Sequence, residues 1–148
     1  MIHLLDVNVL IALAWPSHVH HRLAQEWFKG HRHQGWATCP LTQTGFVRIS
    51  SNPRFIDGAV TPGEALDLLR QVTRSEDHHF WADSVDVTQE PDGLGAHLLG
   101  HRQVTDAYLL ILAIANQGAL ATLDSDIAAL LPTAAQHSPH LALITATS

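Results

Sequence analysis

Apolar residues in this chain fall into short unbroken runs, separated by longer stretches in which they recur every three or four positions. The first run, Ile2 to Leu5, ends at Asp6 and reads as a buried parallel strand. A helix is expected from Asn8 to Trp15, with Pro16 stopping it. Ser17 is the candidate N-cap of a second helix, with Val19, Leu23 and Trp27 spaced by four to give it an apolar face. Gly30 and Gly35 bracket a basic, histidine-containing loop, after which Trp36 to Cys39 suits a second strand. Thr42 to Ile49 reads as helical, with Phe46 and Ile49 inward, and ends before the Ser51-Asn52-Pro53 turn.

The clearest local signal is Thr61-Pro62-Gly63-Glu64. Thr61 can cap, Pro62 fits the first helical position and Glu64 completes a capping box, so a helix is expected from there to about Arg74. Phe80 to Val87 is ambiguous between strand and loop, and the glycine-broken segment 91–100 has no clear assignment. Val104 to Asn116 is apolar around nearly its whole circumference and predicts a central buried helix with Gly118 as its C-cap. Ala119 to Leu123 and Leu141 to Thr145 predict two further strands. Strands alternating with helices imply right-handed crossovers and a parallel sheet with helices on both faces. No internal repeat, low-complexity tract or linker divides residues 1–148, so one α/β domain is expected.

Composition narrows the function classes. The 148 residues are 46% hydrophobic and 15% charged, a balance that folds. One cysteine excludes an intrachain disulfide framework and suits a reducing compartment. The apolar N-terminus is interrupted by Asp6 and Asn8, lacks early basic residues and is too short to span a bilayer, so a cytoplasmic location without membrane contact is expected. A net charge of −6 excludes a general polyanion binder. Any approach to phosphate by a chain of this charge needs a cation or local arginines.

Three carboxylates fall where this topology would gather them. Asp6 and Asp124 follow strands, and ligand sites of open α/β sheets lie beyond the strands' carboxyl ends. Asp106 stands in the first turn of the buried helix, where an uncompensated carboxylate is costly. Asp126 lies close enough in sequence to support the cluster. Oxygen-rich sites of this kind suit Mg²⁺ or Mn²⁺, and repulsion among the aspartates makes a cation necessary. Each residue also has a structural role open to it: Asp6 and Asp106 as helix caps, Asp124 and Asp126 in a turn. Asn8 either orients a ligand or bonds backbone, and Thr122 either bonds a ligand or simply suits a strand.

The blocks LLDVNVLIAL at 4–13, ATCPLTQTGFVRISSNP at 37–53, VTDAYLLILA at 104–113 and LATLDSDI at 120–127 together resemble the PIN-domain ribonucleases, in particular the VapC-type toxins of bacterial toxin–antitoxin modules. The resemblance implies a three-layer α/β/α fold with a central parallel sheet. It implies Mg²⁺-dependent cleavage of RNA, neutralisation by a small VapB-type antitoxin, and toxin homodimers. Asp6, Asp106 and Asp124 fall on the family's acidic positions, with Asp126 at the end of the same block. One position departs: similar toxins usually carry Glu where this chain has Gln43. Gln keeps an oxygen but loses a charge, which lowers metal affinity and opens an alternative reading as a catalytically weak RNA- or protein-binding module.

The remaining features are better read as structure. Histidines 18, 20, 21, 31, 33, 78 and 79 lack the closed spacing and cysteines of a zinc site and read as solvated surface. Arg48, Arg54 and Arg102 suit phosphate contacts, although surface ion pairs are their more ordinary role. Trp15, Trp27, Trp36 and Trp81 read as packing anchors. A phosphotransfer or receiver-like enzyme fits the topology but lacks the paired acids and lysine it needs, and no glycine-rich phosphate loop is present.

Overall fold

A computed structural model describes residues 1–89, 100–130 and 138–146, and the unassigned segment 91–100 lies, save Gly100, outside them. Five strands form one all-parallel sheet: β1 (His3–Leu5), β2 (Trp36–Thr38), β3 (His78–Phe80), β4 (Ala119–Thr122) and β5 (Leu141–Leu143). Their order is β3-β2-β1-β4-β5, so the chain reverses its direction of travel across the sheet between β1 and β4. Five α-helices accompany them: α1 (Val7–Ala14), α2 (His21–His31), α3 (Pro40–Ser50), α4 (Pro62–Thr73) and α5 (Val104–Ala115).

Alternation along each short strand sorts the core into two layers. Leu4, Ala37 and Leu120 face α5, whose residues Leu109 to Ala113 are all buried. Leu5, Trp36 and Ala121 face the opposite layer, with Val9, Leu10 and Ile11 of α1, Phe46 of α3 and Leu69 of α4. The three-layer α/β/α architecture with a central parallel sheet is therefore present.

Local chemistry explains the element boundaries. The Cys39 backbone N–H donates to the Thr42 hydroxyl at 3.0 Å, and Pro40 occupies the first helical position, so α3 starts two residues earlier than the apolar pattern indicates. Thr61 and Glu64 form the expected reciprocal capping box of α4. Gly45 lets α3 press against α1, because a Cβ there would lie 2.8 Å from Val7 Cγ2.

Three expectations need correction. Ser17 does not cap α2, which begins at His21 after a turn in which the His20 N–H donates to His18 Nδ1. Val19 is 86% exposed, and the inward face is carried instead by Leu23, Ala24, Trp27 and Phe28. Gly118 is not the left-handed cap of α5 either: Gln117 takes that conformation with φ 57°, and the Gly118 N–H bonds back to Ala113 O at 2.8 Å. Gly118 is required for space, since a Cβ would fall 2.6 Å from both Ile2 O and the Trp81 ring. The ambiguous stretch resolves as β3 ending at Phe80, followed by irregular chain and a 3₁₀ turn at Val87–Gln89.

Far from the strands' carboxyl ends, Asp77 ties β3 to α2 and β2. It accepts from Arg32 Nε at 2.8 Å, from Trp36 Nε1 at 3.0 Å and from Ser75 Oγ. The Arg32 guanidinium and these donors hold its carboxyl well below the usual carboxylate range. A group with a lowered folded pKa stabilises at neutral pH and loses that contribution as pH falls below its ordinary value. Asp77→Ala is therefore expected to cost about 2 kcal/mol by stranding the Trp36 and Arg32 donors. Thermal unfolding at pH 7 checks this, and the gap to the unaltered chain should narrow at pH 3.

Candidate metal centre

The switch between β1 and β4 brings two of the three aspartates together. Asp6 follows β1, and its backbone N–H still pairs with Ala121 O of β4 at 3.0 Å. Its carboxylate is 5% exposed and accepts from the Thr122 hydroxyl through Oδ2 at 3.0 Å. Although Asp6 stands at the N-cap position of α1, its side chain makes no capping hydrogen bond, so the ordinary structural role of an aspartate here is unused. Burial pushes its carboxyl up, the Asp124 charge adds to this, and the hydrogen bonds from Thr122 and the Val7 backbone oppose it.

Thr122 links the two strand ends. Its hydroxyl oxygen accepts the Asp124 N–H at 3.1 Å while its proton goes to Asp6. Asp124 is exposed, and its Oδ1 accepts the Asp126 N–H at 2.9 Å. Asp126 thus braces Asp124 through its backbone, with its own carboxylate turned to solvent.

Asp106 lies in the first turn of α5, half-buried. Burial first, then the charges of Asp6 and Asp124, push its carboxyl up to about 6. This happens at a helix N-terminus, which by itself favours negative charge. The upward shift means that repulsion and desolvation outweigh the helix dipole. Asp106 ionises against both neighbours and bears the repulsion of the set.

These residues fit a hard divalent cation by the chemistry of the donor set: every donor is oxygen, and among the described residues no cationic side chain is paired with them. Among the described residues, no group of three His, Cys, Asp or Glu side chains is drawn close enough to enclose an ion by itself. Mutual repulsion keeps carboxylates apart, and Mg²⁺ retains several waters and needs only one or two carboxylates directly.

The other singled-out residues are placed as follows. Gln43 lies in the first turn of α3, its Nε2 donating to the Thr38 hydroxyl at 3.0 Å, and α3 is pressed onto Val7 beside Asp6. Asn8 is exposed on α1. Arg48 and Arg54 are exposed and form no ion pair among the described residues, contrary to the surface pairing expected of them, and the Arg102 side chain lies outside those residues. His21 and His31 direct Nδ1 to the backbone carbonyls of Ala12 and Trp27. Sequence reading missed Thr38, which is fully buried at the end of β2, and its partner His78, read as surface. Only the strand register brings that pair together.

The fold is a three-layer α/β domain with acids gathered at the strands' carboxyl ends, and comparison with known proteins identifies its family. Residues 3–130 match the PIN domain. Ribonuclease VapC39 of Mycobacterium tuberculosis is 45% identical over 128 residues, covering 86% of this chain and 92% of that protein. Ribonuclease VapC38 of the same species is 44% identical over 84% of this chain and 86% of its own length. Ribonuclease VapC29 is 41% identical over 88% and 96%. The chain belongs to the PIN-domain family and is a member of its VapC type.

Burial of Asp106, and after it the charges of Asp6 and Asp124, set a cost that a pH titration of stability reads out. Asp106 is raised from 3.8 to about 6, so the folded chain holds a proton that the unfolded chain releases. The contribution of Asp106 to stability is full below pH 4, is lost as pH rises through 6, and stays lost above it. Asp106→Asn is therefore expected to stabilise the metal-free protein at pH 7.5 by on the order of 1 kcal/mol after solvent screening, and to raise Tm by about 2–4 °C. At pH 4 the two proteins should melt together. A variant that melts lower at pH 7.5 would contradict the repulsion.

Proposed function

We propose that this chain is a Mg²⁺-dependent endoribonuclease, with Mn²⁺ able to substitute, acting as the cytoplasmic toxin of a pair whose VapB-type antitoxin neutralises it. The observation that carries this reading is the buried Asp6 carboxylate at the junction of β1 and β4, answered only by the Thr122 hydroxyl and a backbone N–H, with Asp124 following the neighbouring strand. Three repelling carboxylates at a sheet switch point are poorly explained by stability alone. The names of the relatives, all ribonucleases, support the reaction class. No helix among the described residues is long and apolar enough to cross a membrane, which fits the proposed location.

The chain's own groups have definable roles in such a reaction. Asp6, Asp106 and Asp124 would hold the cation, with Asp126 bracing Asp124. Thr122 directs its proton to Asp6 Oδ2, leaving Oδ1 to donate. Asp106 must lose its proton before it can ligate, so affinity for the metal rises with pH through about 6. When bound, Mg²⁺ lowers the pKa of a coordinated water and offsets charge on the phosphodiester under attack. Arg48, free of ion pairs among the described residues, lines a cavity of about 430 Å³ with Gln43, Val47 and Leu66, and an exposed arginine there would suit a phosphate contact.

A second reading, an RNA- or protein-binding module with weak catalysis, is favoured by one observation: the uncharged Gln43 where similar toxins carry Glu. Cleavage of a structured RNA panel separates the two. The unaltered protein should cut with Mg²⁺ and not with EDTA. Asp6→Asn and Asp124→Asn should each lower the rate by at least about a hundredfold, a loss of some 3 kcal/mol of transition-state stabilisation. Equal cleavage by all three proteins removes the assignment, and RNA binding without cleavage by the unaltered chain establishes the second reading. Arg48→Ala should weaken RNA binding and reduce the slope of log affinity against log salt by about 1.

A further inference from the structure

His3 is a buried titratable side chain that the acidic cluster does not use. It opens β1, is only 9% exposed, and its Nδ1 is buried without a hydrogen-bond partner. The ring meets Trp27 and His31 of α2 edge-to-face, with centroids 5.1 Å and 5.6 Å away and planes at 86° to each. Those two rings are stacked on one another at 4.4 Å, and His31 Nδ1 bonds to the Trp27 carbonyl at 2.7 Å. A carbonyl only accepts, so that nitrogen carries a proton and the His31 ring is held against Trp27. His3 is thus the β1 side of a three-ring seam that fastens α2 to the sheet.

The seam accommodates a neutral His3 and not a charged one. A neutral imidazole can leave Nδ1 bare, whereas an imidazolium carries N–H on both nitrogens and would bury one of them without an acceptor. No counter-charge is at hand. From α2 the ring faces Trp27 and the titratable His31, and across the sheet its register partners are Trp36 of β2 and Ala119 of β4. The carboxylates of Glu26 on α2 and Asp77 beside β3 are already paired with Arg22 and Arg32, and His3 forms no ion pair among the described residues. Burial first, then the charges of His31 and the Met1 amino group, push its pKa down from 6.5 to about 4. The unfolded chain therefore takes up this proton before the folded one. The contribution of His3 is full above pH 6.5, declines as pH falls from there, and is gone below 4.

We propose that His3 is an acid-sensitive latch, which fastens α2 to β1 while neutral and loosens that helix once protonated. α2 supplies Phe28, Lys29 and Arg32 to the wall of a cavity of about 500 Å³, whose other sides include Leu10 of α1 and Leu69 of α4. Loosening α2 therefore reshapes that cavity. The Arg32–Asp77 ion pair persists in mild acid, because the Asp77 carboxyl is held well below the usual carboxylate range. α2 thus gives way at its ring contacts without leaving the domain. The latch stands at the first residue of β1 and Asp6 beyond the last, so it operates whether or not a metal is bound.

Two measurements on the full, metal-free chain test this: NMR titration of the histidine rings, and amide hydrogen exchange at pH 7 and pH 5. The His3 ring should titrate near 4. Protection of the α2 amides from Gln25 to His31 should fall by on the order of tenfold between pH 7 and pH 5. The amides of β4 should keep theirs, which separates a local loosening from general acid unfolding. His3→Phe keeps a ring against Trp27 that cannot take a proton, and it should abolish the fall. An ordinary His3 midpoint near 6.5, α2 protection indifferent to pH, or an equal fall in His3→Phe each overturns the latch. The first two results are read on the unaltered chain, so they decide the matter even where His3→Phe does not fold.

Discussion

The fastening of Asp6 between β1 and β4 is the constraint on which the rest of the site depends. Its backbone continues the sheet by pairing with Ala121, and its side chain takes the Thr122 proton across the same junction. A carboxylate this deeply buried costs free energy unless something answers its charge. One neutral hydroxyl and a backbone N–H answer only part of it, since the carboxyl remains pushed up. The fold therefore stores an unmet demand for positive charge at the point where its strand order reverses.

Two close approaches hold the surrounding elements to that point. Gly45 admits the Val7 side chain, setting α3 and Gln43 alongside the residue that follows Asp6. At the opposite end of the sheet, Gly118 admits Ile2 O and the Trp81 ring, which closes the turn from α5 into β4 and so fixes where Asp124 emerges. The buried wall of α5 then places Asp106 against the two strand ends. Packing keeps the acids within electrostatic range of one another despite their repulsion.

Much of this was legible in the sequence, for physical reasons. Apolar runs that stop at Asp6 and just before Asp124 carry both strand identity and site placement, because a parallel sheet buries its strands and opens at their carboxyl ends. The all-apolar course of α5 marked Asp106 as anomalous. Elements whose ends rest on short-range competition were misread: the His18–His20 bond displaced the start of α2, and Gln117 took the conformation a glycine usually supplies. Thr38 and His78 were invisible as a pair, since they meet only through the register of β2 with β3, forty residues apart. Periodicity reports which face a residue occupies and says little about which polar partner it meets there.

Asp6, Asp106 and Asp124 are coupled through charge, since both neighbours help push the Asp106 carboxyl up. Carbon-13 NMR titration of the Asp106 carboxyl tests it most directly, in the metal-free protein and with saturating Mg²⁺. A midpoint near 6 is expected without metal, with a lower one in Asp124→Asn and loss of the titration from that range when Mg²⁺ is added. An ordinary carboxylate midpoint in the metal-free protein, or a midpoint near 6 indifferent to both Asp124→Asn and Mg²⁺, would contradict it.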